Sequence, residues 1–528
     1  MNHSTTPRVP ALIGVGALGL ALAGAAAAPA QVWEVDDRFL TVNTAGFLHG
    51  ASIAVADHDG DGLDDLVVGA PGSNSGGTDA GAFGYHLAGG ARTMNLHTFA
   101  VGEPGDRLGS AVVRGDFDDD GVPDIAIGAP GRDLEFGPPP AIVDAGGVWI
   151  YEWNAVVSTP AFRDFLSQDV TPGGVPETGD QFGRALASGD FNDDGFDDLA
   201  VGVPYEDAGA TTDTGVVHVF YGSATGLRTD DSVTFRAGFG GVLGTESAGD
   251  RFGWSLAAGD FDDDDLDDLA IGAPFRDLAG ELDAGQVHVL YGSASGLTAA
   301  GNQLFDDGDF GSTPVGGVQF GWALAAGQFD QTGLACLAAC EVDLAIGVPY
   351  QPVLGVADAG KVVVAYGSPS GLTNIDSTTL TRLSAQQLPA TGDLFGFALA
   401  AGHLDRSAAG LLFAIEDLAV GAIGETVEGV GDAGGAYLFF GSSAGIGGGS
   451  LSWQKVVARS GLGIGAPEPD DHFGWALAIG DFDGDGWGDL VAGAPYDDHA
   501  AHVDAGGAQL LYGALFADGF ERGTAEGW

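Results

Sequence analysis

The stretch QFGRALASGDFNDDGFDDLAVGVP, residues 181–204, contains the plan of the whole chain. A Phe-Gly step opens an apolar run, an acidic loop interrupts it, and a second apolar run ends in Gly-Val-Pro. The loop, Asp190 to Asp198, has the form D-x-[DN]-x-D-[GD]-x-x-D. Four further copies are DHDGDGLDD (Asp57 to Asp65), DFDDDGVPD (Asp116 to Asp124), DFDDDDLDD (Asp260 to Asp268) and DFDGDGWGD (Asp481 to Asp489). Oxygen-bearing side chains at positions one, three, five and nine converge when the chain turns tightly at position six. With a backbone carbonyl at position seven they form an all-oxygen cage for a hard cation such as calcium.

The expected ligands are Asp57, Asp59, Asp61, Leu63 and Asp65 in the first loop, and Asp116, Asp118, Asp120, Val122 and Asp124 in the second. They are Asp190, Asn192, Asp194, Phe196 and Asp198 in the third, then Asp260, Asp262, Asp264, Leu266 and Asp268 in the fourth. The last loop offers Asp481, Asp483, Asp485, Trp487 and Asp489. A solvated acidic turn is the plain alternative, and electrostatics argues against it. Two like charges about 4 Å apart cost roughly 4 kcal/mol at an effective dielectric near 20. Clustering them five times over requires a counter-ion, so about five calcium sites are expected. The fourth should be the weakest, because Asp265 stands where a positive φ favours glycine.

The frame around each loop recurs as well. Phe-Gly steps precede the loops in RFGWSLAAGD (from Arg251), LFGFALAAGH (from Leu394) and HFGWALAIGD (from His472), while the first two repeats keep only the glycine, as His49-Gly50 and Leu108-Gly109. Runs ending at Pro71, Pro130, Pro204, Pro274 and Pro495 follow them. An Asp-Ala-Gly or Asp-Thr-Gly turn then opens a third run, as in DTGVVHVFYGS from Asp213. Seven such units start their loops at Asp57, Asp116, Asp190, Asp260, Gln328, His403 and Asp481. Units of this length, each with a few short strands unable to bury both faces alone, stack radially into a propeller.

The combination of Phe-Gly step, acidic loop and Gly-Ala-Pro step resembles the FG-GAP repeats of the integrin α-subunit propeller, over roughly residues 33 to 513. The resemblance implies an all-β fold of seven four-stranded antiparallel blades. Strand one would carry the Phe-Gly step, the calcium loop would join strands one and two, and the Asp-Ala-Gly turn would lead into strand three. The last unit ends at its third run, so VWEVDDRFLTV (Val32 to Val42) is expected to close the ring as the missing outer strand.

Residues 1–30 read as a secretory signal peptide, with Arg8, an Ala/Leu/Gly stretch, and small residues at Ala28 and Ala30. The propeller would occupy 31–514 and a tail of unassigned role 515–528. The expectation is a monomer, secreted or held at the cell surface, with no membrane span in its mature form. A net charge of −56 excludes the basic surface that nucleic acid requires. The 92 glycines recur at fixed turn positions, which sets the chain apart from low-complexity sequence. Repeats five (Gln328 to Asp343) and six (His403 to Asp417) lose the first Asp and are lengthened, so no metal is assigned to them. Both cysteines, Cys336 and Cys340, lie in repeat five. In an exported protein they are expected to pair, two free thiols being the alternative.

Catalytic signatures are absent from the sequence: there is no G-x-S-x-G elbow, H-E-x-x-H helix or P-loop. The tripeptide Arg114-Gly115-Asp116 has the letters of an adhesion motif, yet Gly-Asp precedes other loops and Asp116 is needed as a ligand. His218 and His288 recur at one repeat position and are expected to pack. Binding is therefore assigned to the face opposite the calcium loops, where Tyr205, Phe275, Tyr350 and Tyr496 follow the Gly-Ala-Pro steps. The expected ligand is an extracellular glycan or protein. A polysaccharide-active, lyase-like enzyme and a structural surface component are the other two readings.

Overall fold

The computed structural model describes residues 39–41 and 48–511 apart from 75–76, 89–94, 100–101, 136–140, 155–158, 173, 331–340, 405–414, 443–444, 447–452, 458–466, 485, 487 and 499–502. Residues 1–30, Cys336, Cys340 and residues 515–528 fall outside these residues. So do Asp485 and Trp487, two of the ligands expected from the sequence.

Seven four-stranded antiparallel sheets form a seven-bladed β-propeller. Blade three shows the plan: Ala185–Gly189, Asp198–Val203, Val216–Phe220 and Val233–Phe235, each paired with the next. The second strand of every blade is buried along its whole length. It lies between two strands of its own sheet, and neighbouring blades cover both sheet faces. That is why its sequence is a continuous apolar run and not an alternating one. First strands are short and rich in small residues, such as ALASG and SLAAG, because they crowd around the axis. They line an axial cavity of about 270 Å³ with Ser52, Ala111, Ala185, Ser255, Ala323 and Ala476 among its walls.

The sequence signature is a contact between blades. A Cβ placed on Gly202 of the Gly-Val-Pro step would lie 2.1 Å from the carbonyl oxygen of Gly253, the Phe-Gly glycine of the next blade. The same contact recurs at Gly69–Gly109, Gly128–Gly183, Gly272–Gly321, Gly347–Gly396 and Gly421–Gly474, and it closes the ring at Gly493–Gly50. Each Phe-Gly glycine sits at positive φ, from 85° to 92°. Backbone against backbone leaves no room for a side chain on either partner. One expectation needs correcting here. The Phe-Gly step precedes strand one in most blades, and Phe182 instead bridges to Gly146 of the preceding blade. Only in blade six does the strand, Phe395–Gly402, include it.

The phenylalanines of these steps plug the seams between blades. Phe182 packs edge-on to Phe220 at 6.2 Å, and Phe395 to Phe439 at 6.0 Å. His218 and His288 pack as expected, against Phe182 and Phe252. At the seam between blades seven and one, His49 and His86 take the place of the Phe–Phe pair, 6.0 Å apart. His49 is 1% exposed with neither ring nitrogen hydrogen-bonded, and burial holds its pKa down to about 4. A histidine depressed from 6.5 contributes stability above that pH and loses it as pH falls toward 4. His49→Phe should therefore gain about 2 kcal/mol over the wild type between pH 7 and pH 5. Urea midpoints of both proteins at the two pH values check this, and equal acid sensitivity would contradict it.

The last blade contains Leu477–Gly480, Asp489–Ala494, Gly507–Leu511 and, as its outer strand, Phe39–Thr41. Phe39 pairs with Gln509 and Thr41 with Gly507. The N-terminal segment thus closes the ring, as its sequence implies. No described helix is long and apolar enough to cross a membrane.

Candidate metal centres and binding face

Each acidic loop is organised by its first residue. The Asp190 carboxylate accepts the backbone N–H groups of Asn192, Asp194 and Gly195 at 2.9–3.3 Å. Asp57 does the same for Gly60, Asp61 and Gly62, Asp116 for Asp120 and Gly121, Asp260 for Asp262, Asp264 and Asp265, and Asp481 for Gly484 and Gly486. Position five then receives the N–H of position seven, as Leu63 to Asp61, Val122 to Asp120, Phe196 to Asp194 and Leu266 to Asp264. The sixth residue has positive φ throughout. Gly62, Gly121, Gly195 and Gly486 lie at 80–89°, and Asp265 is held at 68°.

The result is convergence. Oxygens of Asp57, Asp59 and Asp61 lie within 4.8 Å of one another, as do those of Asp116, Asp118 and Asp120. In the fourth and last loops the converging sets are Asp260, Asp262 and Asp268, and Asp481, Asp483 and Asp489. In the third loop the amide oxygen of Asn192 accepts the N–H of Asp194 at 2.9 Å. The donor set is all oxygen, which suits a hard divalent cation. The fit has a second sign: Oδ1 of Asp262 is buried with no hydrogen-bond partner. In the second loop Arg163 already reaches Asp118 at 2.5 Å and stands 3.9 Å from Asp124, so part of that cage's charge is met by the protein itself.

Position nine has a second duty. Asp198 accepts the N–H of Phe191 and that of Gly222, just past strand three. Asp65 and Asp268 make the same pair of bonds, and so do Asp343 and Asp417 in the blades that lack the first Asp, all at 2.8–3.1 Å. This carboxylate ties the loop to strand three whether or not a cage is complete. Burial pushes Asp65 and Asp124 up to about 7, and Asp198 and Asp268 up to about 8. A cation beside them would reverse that shift.

The antiparallel pairing places the loops after Gly-Ala-Pro at the opposite end of the blades. Tyr205, Phe275, Tyr350 and Tyr496 are all half-buried there. Phe275, Tyr350 and Tyr496 pack on the residues that follow the Phe-Gly steps, which sequence reasoning passed over, and Tyr205 packs on Arg251, which precedes one. Trp254 lies 5.0 Å from Phe275 and 5.1 Å from Trp322. Trp322 continues to Tyr350 (5.8 Å) and Phe397 (5.4 Å), then Phe397 to Trp475 (4.9 Å) and Trp475 to Tyr496 (5.5 Å). Arg251 bridges Tyr205 (4.7 Å) and Phe275 (4.1 Å). The outcome is an aromatic belt across blades three to seven, and Phe397 also borders the axial cavity. The signal was legible in the three Phe-Gly-Trp triplets. Beside Tyr205 opens an acidic recess of about 470 Å³, lined by Glu177, Asp180, Asp207 and Asp213.

A seven-bladed propeller with acidic cation-type loops between its first and second strands is the class that fold and site define. The FG-GAP repeat family matches residues 49–83, 108–151, 182–220, 252–290 and 473–511, which lie in blades one to four and seven. The chain is an FG-GAP repeat protein with an integrin α-like propeller. It is 34% identical over 179 residues to phosphatidylinositol-glycan-specific phospholipase D of Mus musculus, covering 34% of this chain and 20% of that one. It is 31% identical over 230 residues to integrin alpha-8 of Homo sapiens (42% and 19%) and 32% over 251 residues to integrin alpha pat-2 of Caenorhabditis briggsae (44% and 18%). The alignments span about a fifth of these relatives' own length.

Proposed function

We propose that the protein is an exported, calcium-stabilised binding or adhesion module that engages an extracellular glycan or protein through its aromatic belt. The belt carries the reading. Rings on a rigid frame offer large contact area at little entropic cost, and aromatic residues dominate the energetics of many interfaces. The acidic loops at the other end hold calcium and stiffen the blades, leaving the belt end free to vary. The division into residues 1–30, 31–514 and 515–528 and the Cys336–Cys340 disulfide belong to the same reading.

A glycan array and an immobilised panel of extracellular matrix proteins, each probed with calcium and with chelator, would reveal the ligand. Replacing Trp322 and Trp475 with alanine together, or Tyr205, Phe275, Tyr350 and Tyr496 together, should weaken binding at least a hundredfold. The calcium-dependent rise in melting temperature should survive. Retained affinity in both variants would refute the belt as the binding surface.

One arrangement favours a second reading, an enzyme acting on polysaccharide. Buried Asp180 and half-buried Glu206 form a carboxyl pair beside the acidic recess, and burial pushes them up to about 6 and about 7. Carboxyls with raised pKa in a cleft are suited to proton transfer. Turnover of an acidic polysaccharide that disappears in Glu206→Gln would establish it.

A further inference from the structure

The metal loops are tied to one another around the ring through their eighth residues. In blade four Asp267 donates its N–H to the Asp190 carbonyl of blade three at 3.1 Å, and its carboxylate accepts the Asp190 N–H at 3.0 Å. Asp197 grips Asp116 of blade two in the same way, at 3.0 and 2.9 Å. Asp64 grips Asp481 at 3.0 and 2.8 Å, joining blade one to blade seven. The residue held is always the first of the neighbouring loop. Its side chain already gathers the N–H groups of its own loop, so the next blade fixes the remaining freedom of that residue.

The clamp also explains the Gly-Asp step that imitates an adhesion tripeptide. A Cβ on Gly189 would stand 2.6 Å from Oδ2 of Asp267, and one on Gly480 would stand 2.8 Å from Oδ2 of Asp64. On Gly115 it would lie 3.2 Å from the Asp197 Cβ. Blade one supplies the internal contrast. The eighth residue of the second loop is Pro123, which has neither an N–H nor a carboxylate, and the residue before Asp57 is Ala56 instead of glycine. In blade one the clamp and the glycine are missing together, whereas Gly259 and Gly402 are kept against the side chains of Val342 and Ile479, each 2.8 Å from where a Cβ would stand. The fourth loop keeps half of it, a 2.8 Å bond from the Val342 N–H to the Asp260 carbonyl.

We propose that Asp64, Asp197 and Asp267 are positioning residues for the metal loop of the preceding blade, so that cation affinity in one loop is set partly by the next. The proposal rests on the reading of these loops as calcium sites. Its chemistry is double: the carboxylate orients the first ligand and adds a nearby negative charge that a bound cation offsets. The clamp between Glu416 and Gln328, at 2.6 and 2.8 Å, persists where the first ligand is lost. A test must therefore separate metal positioning from simple adhesion between blades.

Calcium titration calorimetry on the full chain does so with Asp267→Ala and Asp267→Asn. The alanine variant should lose about tenfold in affinity at one site only, the scale of one charge-assisted hydrogen bond. Asparagine keeps an acceptor and should fall between that variant and the wild type. The melting temperature of Asp267→Ala should drop more in calcium than in chelator. Should the alanine variant fail to fold, Ala56→Gly with Pro123→Asp installs the missing clamp and should tighten one site about tenfold. Unchanged affinities in the variants that fold, or equal loss of melting temperature with and without calcium, would overturn the proposal. A wild-type chain that binds no calcium would refute the metal reading itself.

Discussion

Excess chelator should lower the melting temperature of the full chain by ten degrees or more, and restored calcium should recover it. Four of the loops each gather three carboxylates whose mutual repulsion is largely uncompensated without a cation. A ligand present at about a hundred times its dissociation constant stabilises the folded state by about 2.7 kcal/mol per site. Several sites acting together give on the order of 10 kcal/mol, a large fraction of the stability of any domain. Differential scanning calorimetry with and without chelator measures the effect, and elemental analysis of the dialysed protein gives the stoichiometry. A melting temperature indifferent to chelator, with no calcium bound, would refute it. The second loop should lose least, because Arg163 already neutralises part of its charge.

Much of this architecture can be read from the sequence because its determinants are local. A positive φ at loop position six demands glycine or, at Asp265, a residue that tolerates the left-handed region. The apolar runs of the second strands follow from burial on both faces. What escaped sequence reasoning depends on contacts between repeats. The glycines of the Phe-Gly and Gly-Ala-Pro steps read as turn residues, whereas a Cβ on the Gly-Ala-Pro glycine would come within 2.0–2.3 Å of the neighbouring blade's backbone. Position nine reads as a metal ligand alone, yet Asp343 and Asp417 show that it also anchors strand three. The belt escaped because Trp254, Trp322 and Trp475 lie far apart in sequence and meet only when blades stand side by side. A repeat conceals such partners, since the residue that completes one unit lies in the next.

Removing residues 31–43 should cost the protein its cooperative unfolding. Without Phe39–Thr41 the strand Gly507–Leu511 becomes an open edge along residues 507–509, and the ladder hydrogen bonds there are lost. At about 1 kcal/mol each, the direct loss is about 2–3 kcal/mol. The larger consequence lies at the seam. Blade seven is held to blade one by the Gly493–Gly50 contact, by the Asp64–Asp481 clamp and by an apolar cluster of Leu66, Val68, Phe482, Val491, Ala508 and Leu510. Two members of that cluster belong to the strand whose edge the deletion exposes. The seam also carries His49 and His86 where blades three and six place a Phe–Phe pair. The expected result is a separate low-temperature transition for blade seven, concentration-dependent association through its open edge, and weaker calcium binding at the last loop. Unaltered cooperativity and melting temperature in the truncated chain would show that the ring closes without its N-terminal strand.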